Sequence, residues 1–322
     1  MIEVKFTNTI HLARPLNCRF MQKKYQPNAP RSGQPKAVQV IEEIRPGQSI
    51  ELLKELHILT REGKLNQDTR RKLKQVYHLY QFIEPLLDEV SKANPAPTLA
   101  DHGAGKSYLG FILYDLFFNV AHKAQKTAGH IYGIETRAEL VEKSRTLAAR
   151  LGFERMSFLN LSVQQATTSP DLPHSIDIVT ALHACDTATD DAIAFGLAKR
   201  AQHMVLVPCC QAEVAGVLKR SRALNLTKTP LAELWRHPLH TREFGSQITN
   251  VLRCLQLEAS GYSVTVTELV GWEHSMKNEL ILASCPTVPI AAKTRAAQVR
   301  LQQVLNELGL AELSQRFATT AI

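Results

Sequence analysis

From residue 98 onward the chain alternates short apolar runs with stretches whose apolar residues fall three and four apart. The first pattern predicts buried strands and the second predicts helices packed on them. Runs beginning at Thr98 and spanning 130–135, 156–163, 176–182 and 203–208 predict five strands. Segments 138–151 and 190–199 predict helices between them, and 262–270 with 279–285 predict a closing strand pair. Such alternation calls for an α/β fold, a mostly parallel sheet with helices on both faces. Upstream, Ser49 is a good cap for a helix to residue 60, with Ile50, Leu53 and Leu56 on one side. A second helix is predicted from 67 to 92, striped by Leu73, Val76, Tyr80, Ile83 and Leu87. The pattern divides the chain into an N-terminal arm (1–48), a helical extension (49–95), the α/β domain (96–286, with a mostly helical insert at 211–260) and a helical tail (287–322).

The first strand runs into Asp101-His-Gly103-Ala-Gly105-Lys-Ser107, and Leu109, Ile112, Leu113, Leu116 and Phe117 follow at helical spacing. Strand, glycine turn and helix open a nucleotide-binding unit, in which turn amides and a helix N-terminus face the ligand. Two ligand classes compete. Gly105-Lys106-Ser107 matches the end of a phosphate-binding loop, but Ala100 stands where that motif has its leading glycine. Alternatively, Asp101-x-Gly103-x-Gly105 resembles the opening motif of class I methyltransferases, which bind S-adenosylmethionine (SAM). That resemblance implies that Asp101 anchors the methionine ammonium. A glycine turn with no ligand also fits the spacing. Glu135 closes the second predicted strand, where a carboxylate is placed to accept ribose hydroxyls. Ser162 follows the third strand, where many class I methyltransferases use Asp for the adenine amino group; here Ser162 or Gln164 must supply that contact.

The fourth and fifth strands lead into His183-Ala-Cys185-Asp186-Thr-Ala-Thr-Asp190 and Cys209-Cys210-Gln211. Together these segments resemble a branch of the class I SAM-dependent methyltransferases that includes the tRNA acceptor-stem ribose methyltransferases. His274-Ser-Met-Lys-Asn278 is similar to a third segment of that branch. The resemblance covers residues 95–285 and implies a Rossmann-like sheet whose last strand inserts antiparallel. Asp186 stands where the tRNA enzymes have Gly, and Gln211 where they have His. His183 and Asp186 are candidates for base and orienter, since an imidazole titrates near neutral pH. Cys209 and Cys210 are open to three readings: buried packing residues, a pocket wall, or a nucleophile toward a pyrimidine ring. Zinc ligation by His183, Cys185, Cys209 and Cys210 lacks the usual close pair. No Asn/Asp-Pro-Pro-Tyr segment follows the fourth strand, which disfavours exocyclic amines as acceptors.

Charge points to the substrate. The chain carries a net +8 over 322 residues. Residues 1–40 hold seven Lys or Arg against one acid, and Arg70, Arg71, Lys72 and Lys74 open the second helix. With Phe20, Tyr25 and Tyr77 interleaved, these clusters suit a nucleic-acid backbone and unpaired bases. RNA is therefore the expected partner, with a protein or small-molecule substrate as the alternative. The chain has no apolar run of about 18 residues and no secretory leader, so no membrane span and a cytoplasmic location are expected. Six unpaired-looking cysteines fit reduced thiols. Oligomeric state is not legible.

Overall fold

The computed structural model describes residues 43–121, 128–182, 186–208, 211–221, 228–269, 279–288 and 290–320. The N-terminal arm to residue 42 lies outside these, and with it the reading of Phe20 and Tyr25.

Two helices precede the sheet. Helix α1 (Ile50–Glu55) starts at Ser49, whose hydroxyl accepts the Leu52 amide. Helix α2 (Gln67–Ala93) starts at a reciprocal Asn66–Thr69 cap, which satisfies two amides left open by the first turn. Five parallel strands follow: β1 (Thr98–His102), β2 (His130–Glu135), β3 (Met156–Asn160), β4 (Ile178–Leu182) and β5 (His203–Val207). Helices α3 (Tyr108–Leu113), α4 (Ala138–Leu151), α5 (Val163–Thr168) and α6 (Thr187–Ala198) connect them. Helix α3 continues as a π-helical stretch, Tyr114–Ala121. Then come α7 (Glu213–Ser221), α8 (Pro238–Ala259), β6 (Ser263–Glu268), β7 (Glu279–Ser284) and α9 (Ala291–Glu307).

The sheet order is β3-β2-β1-β4-β5-β7-β6. The chain winds outward from β1 to β3, returns to β4 beside β1, and winds the other way. Ligands of open α/β sheets bind at the carboxyl ends of the strands flanking such a reversal. Strand β7 runs antiparallel between β5 and β6, as expected for the class I methyltransferase sheet. The fold is that Rossmann-like sheet with helices on both faces.

Local chemistry shifts two expected boundaries. Strand β3 stops at Asn160 because Ser162 caps the short polar helix α5, which no apolar stripe announces. Helix α6 begins at Thr187, earlier than the apolar pattern suggests. The core beside α5 and α6 is built from Ala100, Ile134, Val179, Ala192, Ile193, Phe195, Met204 and Leu206. A second cluster joins insert and tail: Val214, Leu218 and Leu252 meet Leu301, Leu305 and Phe317. The helical extension is fastened too, by the Ser49 amide donating to Asp115 (2.9 Å) and by a Glu55–Arg150 ion pair (2.6 Å).

Candidate active site

The turn after β1 has the backbone its glycines allow. Gly103 and Gly105 take φ of 67° and 58°, values that a side chain would strain. The Gly105 amide donates to Glu135 Oε2 at 2.9 Å, tying the turn to the end of β2. Glu135 also accepts from the Arg137 amide and guanidinium at 3.0–3.1 Å. Burial pushes its pKa up, but these donors prevail and hold it at about 2. Glu135 thus stays ionised at the strand end where a ribose acceptor is expected.

Asp101 lies deeper than the sequence suggested, with 2% of its surface exposed. Thr180 of the adjoining β4 donates to its Oδ1 at 2.9 Å. Burial pushes its pKa up to about 7, against the opposing pull of Thr180 and the Gly110 amide. The carboxylate therefore underpins the turn and lacks a cationic partner among the described residues.

Ser107 is fully buried, and its hydroxyl occupies the space a Gly110 side chain would need, 2.6 Å from the site of that Cβ. A phosphate loop needs this hydroxyl turned outward toward the metal and phosphates. The inward hydroxyl and the missing leading glycine argue against that class. Ser162 forms a capping box with Gln165, its amide donating to Gln165 Oε1 at 2.9 Å, while Gln164 is exposed. His102 went unnoticed in the sequence. It is buried at the end of β1, 5.8 Å from the Phe195 ring, and neither ring nitrogen has a hydrogen-bond partner among the described residues. Burial lowers its pKa to about 4, against the pull of nearby Glu135, so the ring is neutral. Its position inside the Asp-x-Gly-x-Gly motif was the available signal.

His183, Cys209 and Cys210 lie outside the described residues, as do Cys185 and 274–278. What the structure does give is the backbone flanking them. Leu182 pairs with Val207, so the two segments leave neighbouring strand ends. Asp186 has φ 49°, a conformation free to Gly and strained for most other residues. Here the Asp186 side chain has its own use: Oδ1 accepts the Ala212 and Glu213 amides (2.9 and 3.2 Å) at the start of α7. Asp190, the last residue of the motif, is 4% exposed and paired at 2.8 Å through both oxygens with fully buried Arg253. Arg253 also donates to the Asp186 carbonyl (2.8 Å) and to Asn250 Oδ1 (3.0 Å). Arg253 was missed because an arginine in an amphipathic helix reads as solvated. The spacing of Ser246, Asn250, Arg253 and Gln256 along one face of α8 was the signal, for that face is largely buried.

Residues 71–217 match a family model described as a methyltransferase domain. This chain carries a methyltransferase domain. The match runs from α2 to α7 and includes the glycine turn and the ends of β1 to β5. No curated protein matches the sequence significantly. Among solved structures, the methyltransferase domain is similar to an rRNA methylase from Streptococcus thermophilus (8% identity, TM-score 0.36, covering 60% of this chain and 88% of that one). It is similar to magnesium protoporphyrin IX methyltransferase from Synechocystis PCC 6803 with bound S-adenosylhomocysteine (12%, 0.39, 73% and 93%). It is also similar to Aeropyrum pernix fibrillarin with bound SAM (13%, 0.33, 59% and 66%).

SAM is the cofactor of this domain, and the residues present fit it. The ionised Glu135, the left-handed backbone at Gly103 and Gly105, and the two His102 nitrogens, which have no partner among the described residues, all stand at the carboxyl end of β1 and β2. No metal-ligand cluster and no helix long and apolar enough to cross a membrane occur among the described residues.

Proposed function

We propose that this methyltransferase modifies RNA, at an acceptor presented to the ends of β4 and β5. The observation that carries the reading is that β4 and β5, which lead into the His183 and Cys209-Cys210 segments, end side by side at Leu182 and Val207, one strand over from β1, where Asp101 pairs with Thr180. These are the segments that resemble the tRNA methyltransferase branch. The basic clusters support a polyanionic substrate. Arg71, Lys72 and Lys74 are exposed on α2, whereas Tyr77 is half-buried: its hydroxyl donates to Gln48 and Arg45 lies over its ring at 5.1 Å. Tyr77 is thus engaged within the protein and drops out of the base-stacking set.

SAM supplies an electrophilic methyl group on a sulfonium. In this reading Glu135 holds the ribose, Asp101 answers the ammonium charge and Ser162 or Gln164 meets the adenine. His183 takes a proton from the acceptor, a step suited to a hydroxyl. Asp186 acts by fixing the backbone beside His183. Cys209 and Cys210 shape the pocket, because direct methyl transfer needs alignment more than an enzyme nucleophile.

The test is transfer of labelled methyl from SAM to bulk cellular RNA, followed by mass spectrometry of the nucleosides. Labelled ribose-methylated nucleosides are expected. Label only in protein or small molecules would refute the RNA reading. Cys209→Ser and Cys210→Ser should keep measurable turnover, and a covalent adduct with 5-fluoropyrimidine RNA would instead establish a cysteine nucleophile.

A further inference from the structure

The flanks of all three segments that resemble the tRNA branch converge on one face of α8. Arg253 is fully buried and engages Asp190 through both carboxylate oxygens and Asp186 through its carbonyl. One turn back, buried Asn250 accepts from Arg253 (3.0 Å) and from Gln211 Nε2 (3.2 Å), and donates to Glu279 Oε2 at 2.6 Å. Ser246, one turn further, donates to Gln211 Oε1. Asp186 directly follows 183–185, Gln211 directly follows Cys209-Cys210, and Glu279 directly follows 274–278.

We propose that Arg253 and Asn250 are positioning residues that hold Asp186, Asp190, Gln211 and Glu279 in one arrangement beside the carboxyl ends of β4 and β5. Three physical points support a positioning role. A buried guanidinium with its fork on a carboxylate has one geometry, which a flexible ammonium does not reproduce. A buried ion pair adds little net stability over apolar packing, so its worth lies in specifying an arrangement. Its partners also flank the ends of β4 and β5, separate from the residues that fasten the glycine turn. Asp101, Gly105 and Glu135 make no contact with the network among the described residues.

The activity arm of the test rests on the methyl-transfer reading, and the exchange arm does not. The variants are Arg253→Lys, which keeps the charge and loses the fork, and the pair Arg253→Met with Asp190→Leu, which removes both buried charges together and so avoids stranding either. Hydrogen exchange should rise about tenfold at Ala212 and Glu213 and at the start of β7, while amides of β1, β2 and the glycine turn stay as in the parent. SAM affinity by calorimetry should match the parent. Turnover on bulk RNA should fall about 10- to 100-fold with the KM for SAM unchanged, least for Arg253→Lys. Unchanged exchange at Ala212 and Glu213 would overturn the proposal, as would a rise spread evenly through β1 and β2 or a loss of SAM binding. If the parent itself transfers no methyl group to RNA, the RNA reading falls, and the exchange pattern still decides whether the clamp exists.

Discussion

Asp101 stores a cost that a cation relieves. Its folded pKa of about 7 lies above the ordinary carboxylate value because burial disfavours the charge. Between about pH 4 and pH 7 the unfolded chain has released this proton and the folded chain keeps it, so stability falls as pH rises through that window and then levels. Asp101→Asn should therefore stabilise the cofactor-free protein by about 1–3 kcal/mol at pH 7.5, with little gain below pH 4. The same variant should lose about 1.5–3 kcal/mol of SAM binding, since in the proposed reading it removes the charge-assisted partner of the ammonium. Calorimetry near pH 6 in two buffers of different ionisation enthalpy checks the link: binding to the parent should release a proton and binding to Asp101→Asn should not. Equal proton counts would place the ammonium elsewhere. Asp186 separates two roles in the same way. As a helix cap it needs only an acceptor oxygen, so Asp186→Asn should keep near-parent turnover and stability. Asp186→Ala should lose about 1 kcal/mol of stability along with activity. A collapse of turnover in Asp186→Asn with intact stability would restore the carboxylate to the proton-transfer step.

Among the elements, α8 meets α7 with no room to spare. A side chain at Gly245 would stand 2.6 Å from the Ala215 Cα, which is backbone and cannot yield. Gly245→Ala should cost about 1–3 kcal/mol despite the better helix former, because overpacking outweighs propensity. Gly196 of α6 is the control: the nearest atoms to its new Cβ are Met204 Cε and Sδ at 2.8 Å and Cγ at 3.3 Å, all of one flexible side chain and none of them backbone. Gly196→Ala should stay within about 1 kcal/mol of the parent, the helix-propensity gain offsetting the shift of Met204. Urea unfolding measures both, and equal losses of stability would mean that α7 and α8 can move apart at little cost. Every strand was legible at this scale, because each is an apolar run bounded by turn residues, and α4 and β2 begin and end where the pattern set them. Helix α5 was not legible, since Val163–Thr168 is polar and is started by the cap at Ser162.

Across the whole molecule, charge is unevenly spread. Residues 1–40 carry a net +6 of the chain's +8. If this arm and α2 neutralise RNA phosphates, counterion release makes affinity fall steeply with salt. Deleting residues 1–42 should weaken RNA binding and flatten the log–log salt slope by about 0.7–0.9 for each phosphate no longer neutralised, with SAM affinity unchanged. Titrations at several salt concentrations decide it, and equal slopes would assign the arm to another task. The sequence by itself determined the sheet, the glycine turn and Glu135, because each follows from local periodicity or from backbone freedom confined to a few residues. Only the tertiary structure decided that Asp101 faces inward to Thr180, that Asp186 caps α7, and that Asp190 answers an arginine 63 residues away. Those are pairings between distant polar residues, and a polar residue in a sequence reads as solvated until the fold removes its water.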